Sequence, residues 1–436
     1  MVKEREYLGI VGLILIAIFL TADQAALVPN YLLIEAEFGV SHTQMGAISS
    51  VFIVIGALMV LLWGYWADKY SRKKLLVMGT ILGEIPCFLT AFVQNYSQLF
   101  IMRSLTGLGI GILLPVGSSL LGDYFSPEER GKGFAWFLFA AGLGYLMGAA
   151  IAGTIGPRLN WRYPFAIIAL PNFILIPLFY FLAKEPERGR VEPALRELIK
   201  RGLTYSYKAK LSDFKRVISI RTNLFLNLQS IAGCIPWGVL PIWVITFFAQ
   251  EKGLSIPMAT FFGLAFGGAK MVGNIYGGYL GDFLRKKNVL WRTILCIVAI
   301  LGAIPFIAAV IAYPLPAYPR FLHISLPLLI GFIGISIASI AGPNIRAIFL
   351  DVNVPENRGI MLSVANLTDV MGGGIGPLVG GILADKFGLT FVLYISIIFW
   401  IPCAFLWLPL IKAIPNDMHN LSLIMKKRAS RISLQK

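Results

Sequence analysis

Six ionisable side chains stand inside stretches otherwise built of Ile, Leu, Val, Phe, Ala and Gly: Asp23, Glu84, Arg103, Lys270, Arg346 and Asp369. A charge surrounded by hydrocarbon costs at least ~2.5 kcal/mol by insertion scales, so each must face a partner or a wet cavity. A carboxyl in that setting can take up and release a proton. A guanidinium beside it can hold it ionised, or turn to grip an anion.

These residues need elements that carry them through a bilayer. Hydrophobic residues make up 57% of the 436-residue chain and charged ones only 14%, where a soluble chain carries about a quarter charged. Twelve apolar runs recur from end to end, each long enough for a membrane helix. The net charge of +16 is unevenly placed. With the N-terminus in the cytoplasm, 30 of the 38 Lys and Arg fall in cytoplasmic segments, five fall outside and three lie within spans. That asymmetry is the positive-inside pattern, so the basic excess reports topology. It fits a multi-pass protein with both termini in the cytoplasm, and the expected location is the plasma (inner) membrane. No basic soluble domain is present to bind nucleic acid.

Depth then pairs the charges. Asp23 lies ten residues from the outer end of the first span and Arg103 six from the outer end of the fourth, so both sit about 9–15 Å below the outer surface. Lys270 and Asp369 lie at depths that agree within about one helical turn, measured from the cytoplasmic ends of spans 8 and 11. They can form an ion pair, or Lys270 can grip a substrate anion. Arg346 stands near the cytoplasmic end of span 10, in reach of Asp351 or Glu356. Glu84, beside Pro86, reads as a protonated acid without a transport role. Gln24, Asn30, Gln229, Trp237, Asn274, Asn344 and Asn366 add polar or aromatic groups to the membrane-spanning segments.

The chain is one unit written twice. Asp123-Tyr-Phe-Ser-Pro127-Glu128-Glu-Arg130-Gly131 returns 228 residues later as Asp351-Val-Asn-Val-Pro355-Glu356-Asn-Arg358-Gly359. Pro115, Gly144, Gly148 and Gly153 match Pro343, Gly372, Gly376 and Gly381 in the same register. Gly64-x-x-x-Asp68 repeats as Gly278-x-x-x-Asp282 at an offset of 214. Parallel repeats of this kind build the two facing halves of alternating-access transporters.

Gly64-Tyr-Trp-Ala-Asp68-Lys-Tyr-Ser-Arg72-Lys73-Lys74 resembles the loop between spans 2 and 3 of the major facilitator superfamily. Gly372-Gly-Gly-Ile-Gly376-Pro377-Leu-Val-Gly380-Gly381 resembles the glycine–proline pattern of its exchangers, and Arg103-Ser-Leu-Thr-Gly107-Leu-Gly109-Ile-Gly111 its fourth span. The resemblance implies an all-α polytopic membrane protein of twelve transmembrane helices in two six-helix bundles. Residues 1–182 form one bundle and 223–412 the other. A cytoplasmic basic linker with two amphipathic helical pieces runs over 183–222, and a basic tail over 413–436.

The resemblance also implies a cytoplasmic latch for the outward-open state. In it Gly64 lets helices approach, Asp68 meets span 11 and Asp282 meets span 5. Arg72 and Arg130 cluster with Asp123, and Lys286 and Arg358 cluster around Asp351. Spans 1 and 4 are neighbours in this superfamily. Asp23 is thus expected as the proton acceptor, with Arg103 controlling its protonation.

Gly142-Leu-Gly144-Tyr145-Leu-Met-Gly148 together with Asp23 and Arg103 resembles Spinster-like members, which move lysophospholipids or sphingoid phosphates. The expected function is secondary transport of a small organic or lipid-like amphipathic solute, coupled to protons, by a monomer without a cofactor. An uncoupled facilitator and an organic-anion or drug antiporter are the alternatives. No His-Glu-x-x-His pattern or acidic–histidine cluster points to an enzyme. The four cysteines lie inside spans without metal spacing.

Overall fold

The computed structural model describes residues 2–125, 130–187, 215, 217–316, 320–354 and 357–433. Side chains of residues 2–4, 68, 130, 131, 358, 359 and 427–433 are outside the description. A bilayer core offers backbone N–H and C=O groups no partner, so a chain this apolar satisfies them internally, as helix. The described elements are helical throughout. They are α1 (Val2–Ala25), α2 (Tyr31–Phe38), α3 (His42–Lys69), α4 (Arg72–Thr90), α5 (Tyr96–Ile110), α6 (Leu113–Tyr124), α7 (Arg130–Ile155) and α8 (Tyr163–Leu182) in the N-terminal half. The C-terminal half contains α9 (Arg221–Gln250), α10 (Ile256–Lys287), α11 (Val289–Ala312), α12 (Phe321–Ser339), α13 (Ala341–Val352), α14 (Arg358–Gly373), α15 (Gly376–Ile398), α16 (Trp400–Leu406) and α17 (Leu410–Ser433).

Ten described stretches are long and apolar enough to cross a membrane. Two further crossings complete the expected twelve. Helix α4 carries Arg72, Lys73, Lys74 and Glu84 within its 19 residues, which dilutes its apolar character. The 47-residue stretch Ile360–Leu406 holds two crossings, divided where Gly388 adopts φ 81°.

The duplication is visible in the helix boundaries. Helices α6 and α13 are both 12 residues long and begin 228 residues apart. Each opens where a continuous span is expected to run on, and Pro115 and Pro343 supply the reason. Both stand at the third residue of the new helix. A proline there has no N–H to donate and crowds the carbonyl four residues back, so the preceding helix stops.

Within the N-terminal half, α1 and α7 lie backbone to backbone. A Cβ on Gly144 or Gly148 would stand 2.0 Å from the carbonyl oxygen of Ile18 or Ala22. Gly372, the repeat partner of Gly144, makes the same approach in α14 to Ile231 of α9.

At the face opposite the termini the two halves meet. Asp385 of α15 accepts hydrogen bonds from the backbone N–H groups of His42 (3.0 Å) and Thr43 (2.9 Å), at the start of α3. The Leu378 N–H donates to the Ser50 hydroxyl at 2.9 Å. A Cβ on Gly153 of α7 would overlap Thr260 of α10. At the terminus face every described ion pair stays within one half. The molecule is closed at the face opposite the termini.

Among the described residues, no ion pair of the expected latch joins the two halves. Arg72, fully buried, binds Asp123 and Glu185, and donates to the carbonyls of Ser119 (3.1 Å) and Pro186 (2.6 Å). Asp282 binds Arg292 of its own half, not span 5. Lys286 does not hold Asp351; Arg292 (3.1 Å) and Arg285 (3.0 Å) do. Arg292 is buried on α11, where its planar fork reaches both carboxylates, while Lys286 sits in the last turn of α10. The Asp68, Arg130 and Arg358 side chains, Glu356, the linker piece at 194–202 and most of the one at 208–219 lie outside the described residues. The chain from 413 onward, read as a basic tail, continues as α17. Its Asp417 accepts hydrogen bonds from the Thr222 N–H (2.9 Å) and hydroxyl (2.7 Å) and so caps α9.

Candidate functional site

A cavity of about 480 Å³ separates the two halves at mid-depth. The N-terminal half contributes Gln24, Ser49, Phe52, Arg103 and Tyr145, and the C-terminal half Trp237, Phe247, Phe266, Lys270 and Met271. Most of the wall is apolar, with a few polar groups converging on it, as in sites for amphipathic organic ligands.

On the N-terminal side Arg103 and Asp23 are joined. Arg103 Nη1 donates to Asp23 Oδ1 at 2.6 Å, and Nη2 to the Asp23 backbone carbonyl at 3.2 Å. The close approach of α1 and α7 at Gly148 and Ala22 fixes the turn of α1 that bears Asp23. The guanidinium also lies over the rings of Phe52 (5.0 Å) and Phe165 (5.3 Å), contacts that favour a planar cation. Cys87 donates its thiol to Asp23 Oδ1 at 2.9 Å. Both charged side chains are almost wholly buried. A charge pair at this depth survives only through such geometry, because desolvation costs each ion several kcal/mol.

The C-terminal side differs from the expected pairing. Asp369 is bound by Arg346 Nη2 at 2.5 Å, not by Lys270, and Asn366 accepts from the same nitrogen at 3.3 Å. Arg346 and Asp369 are both partly exposed. The helix break before α13 turns Arg346 toward α14, away from Asp351. Lys270 is left facing the cavity. Its ammonium lies 4.8 Å from the centre of the Trp237 ring, and none of the described ion pairs includes it.

Of the other residues singled out in the sequence, Gln24 and Trp237 line the cavity. Asn30, in the turn after α1, is buried, donating to the Ala26 carbonyl at 3.3 Å and packing against Gly156. Gln229 faces the interior of the C-terminal half, where Trp407 and Cys403 both donate to its oxygen at 3.2 Å. Asn344 ties α13 to α10 by donating to the Gly277 carbonyl at 2.9 Å. Asn274 is exposed and outside the cavity wall. For Asn30 and Gln229 the helix rotation decides, since each points to the packed side of its helix.

Sequence reasoning missed Tyr145, Ser49 and the setting of Glu84. Glu84 is fully buried, and Asn172 of α8 donates to its Oε1 at 2.5 Å. The signal available was its spacing from Cys87, one turn away on α4.

The comparisons with known proteins bear on this geometry. Residues 13–342 match the Major Facilitator Superfamily model. The chain belongs to the major facilitator superfamily. Among its relatives in this superfamily, Protein spinster homolog 1 of Xenopus tropicalis is 24% identical over 81% of this chain and 68% of its own. The sphingosine-1-phosphate transporter SPNS2 of Mus musculus is 25% identical over 64% of this chain and 52% of its own. The cis,cis-muconate transport protein of Acinetobacter baylyi is 23% identical over 58% and 61%. The fold matches a bacterial homolog of the human lysosomal transporter Spinster, crystallised inward-facing and unoccupied. Its TM-score is 0.79 at 17% identity, over 95% of this chain and 98% of that one. These relatives are transporters, not enzymes. This major facilitator chain is a Spinster-like, multi-pass secondary transporter of a small molecule.

Proposed function

We propose that this transporter moves an amphipathic organic anion with a lipid-like tail by alternating access, coupled to protons. The observation that carries the reading is Lys270, a cation facing an apolar cavity with Trp237 beneath it and, among the described residues, no carboxylate bound to it. An ammonium so placed is completed by an anionic head, and the apolar wall by a hydrocarbon tail. Asp23 is the protonatable group on the facing side, with Arg103 as its counter-ion. Protonation of Asp23 releases Arg103 to the same anion. Gln24 and Trp237 position the ligand.

The face bearing the termini is cytoplasmic, so the conformer described is inward-open. The residues around Asp68, Arg72, Asp123, Asp282 and Asp351 form the gate that closes in the opposite state. The protein acts as a monomer in the plasma membrane, without cofactor or nucleic acid. The name of the SPNS2 relative supports a lipid phosphate as cargo; that of the muconate relative supports a second reading, exchange of a short organic anion.

Proteoliposome uptake separates them. With an imposed pH gradient, sphingosine-1-phosphate is expected to accumulate and cis,cis-muconate not. Uptake of muconate alone would select the second reading. Sphingosine-1-phosphate uptake indifferent to the gradient would make the protein an uncoupled facilitator.

A further inference from the structure

Glu84 is the buried acid that the transport reading leaves without a task. It stands on α4, one turn before Cys87, whose thiol touches Asp23. Residues three apart on a helix share a face, with Cβ atoms about 5–6 Å apart. The backbones of α4 and α5 meet directly beside it: a Cβ on Gly109 would stand 2.3 Å from the Gly83 nitrogen. Glu84 therefore belongs to the Asp23–Arg103 cluster and not to the lipid-facing side of its helix.

The groups acting on it can be named from each neighbouring helix. Asp23 comes from α1, Arg103 from α5 and the neutral amide of Asn172 from α8. On α4 itself there is Cys87, a thiol. No charged group of α3 or α6 acts on Glu84 among the described residues.

Two carboxyls thus lie within electrostatic reach of one guanidinium, which is bound to Asp23. Asp23 and Glu84 are both 0% exposed. Each has one oxygen held, Asp23 Oδ1 by Arg103 and Cys87, and Glu84 Oε1 by Asn172. The other oxygens, Asp23 Oδ2 and Glu84 Oε2, are buried without a protein partner. An uncompensated charge in such a place is expensive, and two neighbouring carboxyls relieve it by keeping a proton.

We infer that Asp23 and Glu84 form a carboxyl dyad that holds one resident proton beside Arg103, with Glu84 as its seat in the conformer described. The inference rests on the proton-coupled reading and adds to it the second acid. With the proton on Glu84, the cluster of two carboxyls and one guanidinium is neutral. Release of that proton leaves it at minus one. The proton arrives from water on one side and leaves to water on the other as the halves rock; no redox partner is involved.

The test is infrared spectroscopy of the purified full-length protein at neutral pH, without added substrate. The wild type is expected to show the C=O stretch of one protonated carboxyl, shifting in D2O. Glu84→Gln should remove it. Asp23→Asn should remove it too, because Glu84 then ionises as the sole counter-ion of Arg103. A wild type without the band, or a band that survives Glu84→Gln, overturns the dyad.

Should Glu84→Gln fail to fold, Asn172→Leu gives the same assignment. Loss of the amide hydrogen bond to Oε1 shifts the stretch to higher frequency if the proton is on Glu84. An unmoved band places the proton elsewhere and overturns the inference. Because no substrate is present, a wild type that lacks gradient-driven uptake yet keeps the band refutes proton coupling alone.

Discussion

Thr43 gives Asp385 both its backbone N–H, at 2.9 Å, and its hydroxyl, at 2.6 Å. A carboxylate from the C-terminal half thereby caps the first turn of a helix in the other half. Charge at a helix N-terminus is worth about 0.3–1 kcal/mol at an exposed site, and Asp385 is exposed. Asp385→Asn is therefore expected to shift the balance of the two states by about 1 kcal/mol, or roughly fivefold, toward opening at that face. Distances between spin labels on α3 and α15 should lengthen in a larger fraction of molecules. An unchanged distribution would remove Asp385 from the gate.

The Asp23–Arg103 pair predicts strong non-additivity. Removing one partner of a buried pair typically costs about 3–5 kcal/mol, because the other is left uncompensated. Arg103→Leu should lower thermal stability markedly. The double variant Asp23→Asn/Arg103→Leu should be more stable than the sum of the single effects predicts, by about 0.5–3 kcal/mol. Simple additivity in a thermal-denaturation series would show that the two side chains are not coupled.

Lys270 predicts a charge-selective loss of affinity. A charge-assisted hydrogen bond contributes about 1.5–3 kcal/mol, so Lys270→Ala should weaken binding of sphingosine-1-phosphate by about 10- to 100-fold. Neutral sphingolipid binding should change little. Ligand-dependent thermal shifts read both, and equal losses for the two ligands would rule out a role for the charge.

Glu185 predicts an acid-sensitive contact at the terminus face. Burial pushes its carboxyl up, but hydrogen bonds from the Ser71 hydroxyl and from the Arg72 backbone and guanidinium outweigh this and hold it below its ordinary value of 4.5. A lowered folded-state value means stability that is complete above about pH 4.5 and lost as the pH falls through the folded value. The group is partly exposed, so the contribution is about 1 kcal/mol or less. Glu185→Gln should lower the melting temperature at pH 7 and converge with the wild type in strong acid. A constant difference at all pH values would contradict this account.

Gly148 predicts a steric failure. A Cβ added there would stand 2.0 Å from the Ala22 carbonyl oxygen, so Gly148→Ala forces α1 and α7 apart beside Asp23. Overpacking of this kind costs about 1–3 kcal/mol. Gly268, where an added Cβ would meet nothing within 4 Å, serves as the control for the same substitution. Equal melting temperatures of the two variants would show that the helices yield.

Much of this was legible in the sequence because it follows from local rules. Helix formation follows from hydrophobic length, since a bilayer leaves the backbone no alternative. The duplicated prolines 115 and 343 marked the repeat, although the helix breaks beside them lie inside spans expected to run on. Asp23 and Arg103 could be matched by depth because a helix rises by a fixed step per residue.

Other features depend on helix rotation and on which conformer is populated. Depth matched Lys270 with Asp369 equally well, but the break before α13 brings Arg346 to that carboxylate first. Counting from the glycine motif put Lys286 in the place of Arg72, whereas α11 delivers Arg292 to Asp351. Glu84 read as an isolated acid because its neighbours come from α1, α5 and α8, distant in the chain. The sequence by itself determined a duplicated, helical membrane transporter with few charges at mid-depth. Only the tertiary structure decided which of those charges meet, because side chains at one depth can face inward or outward, and only the packing of the helices turns them.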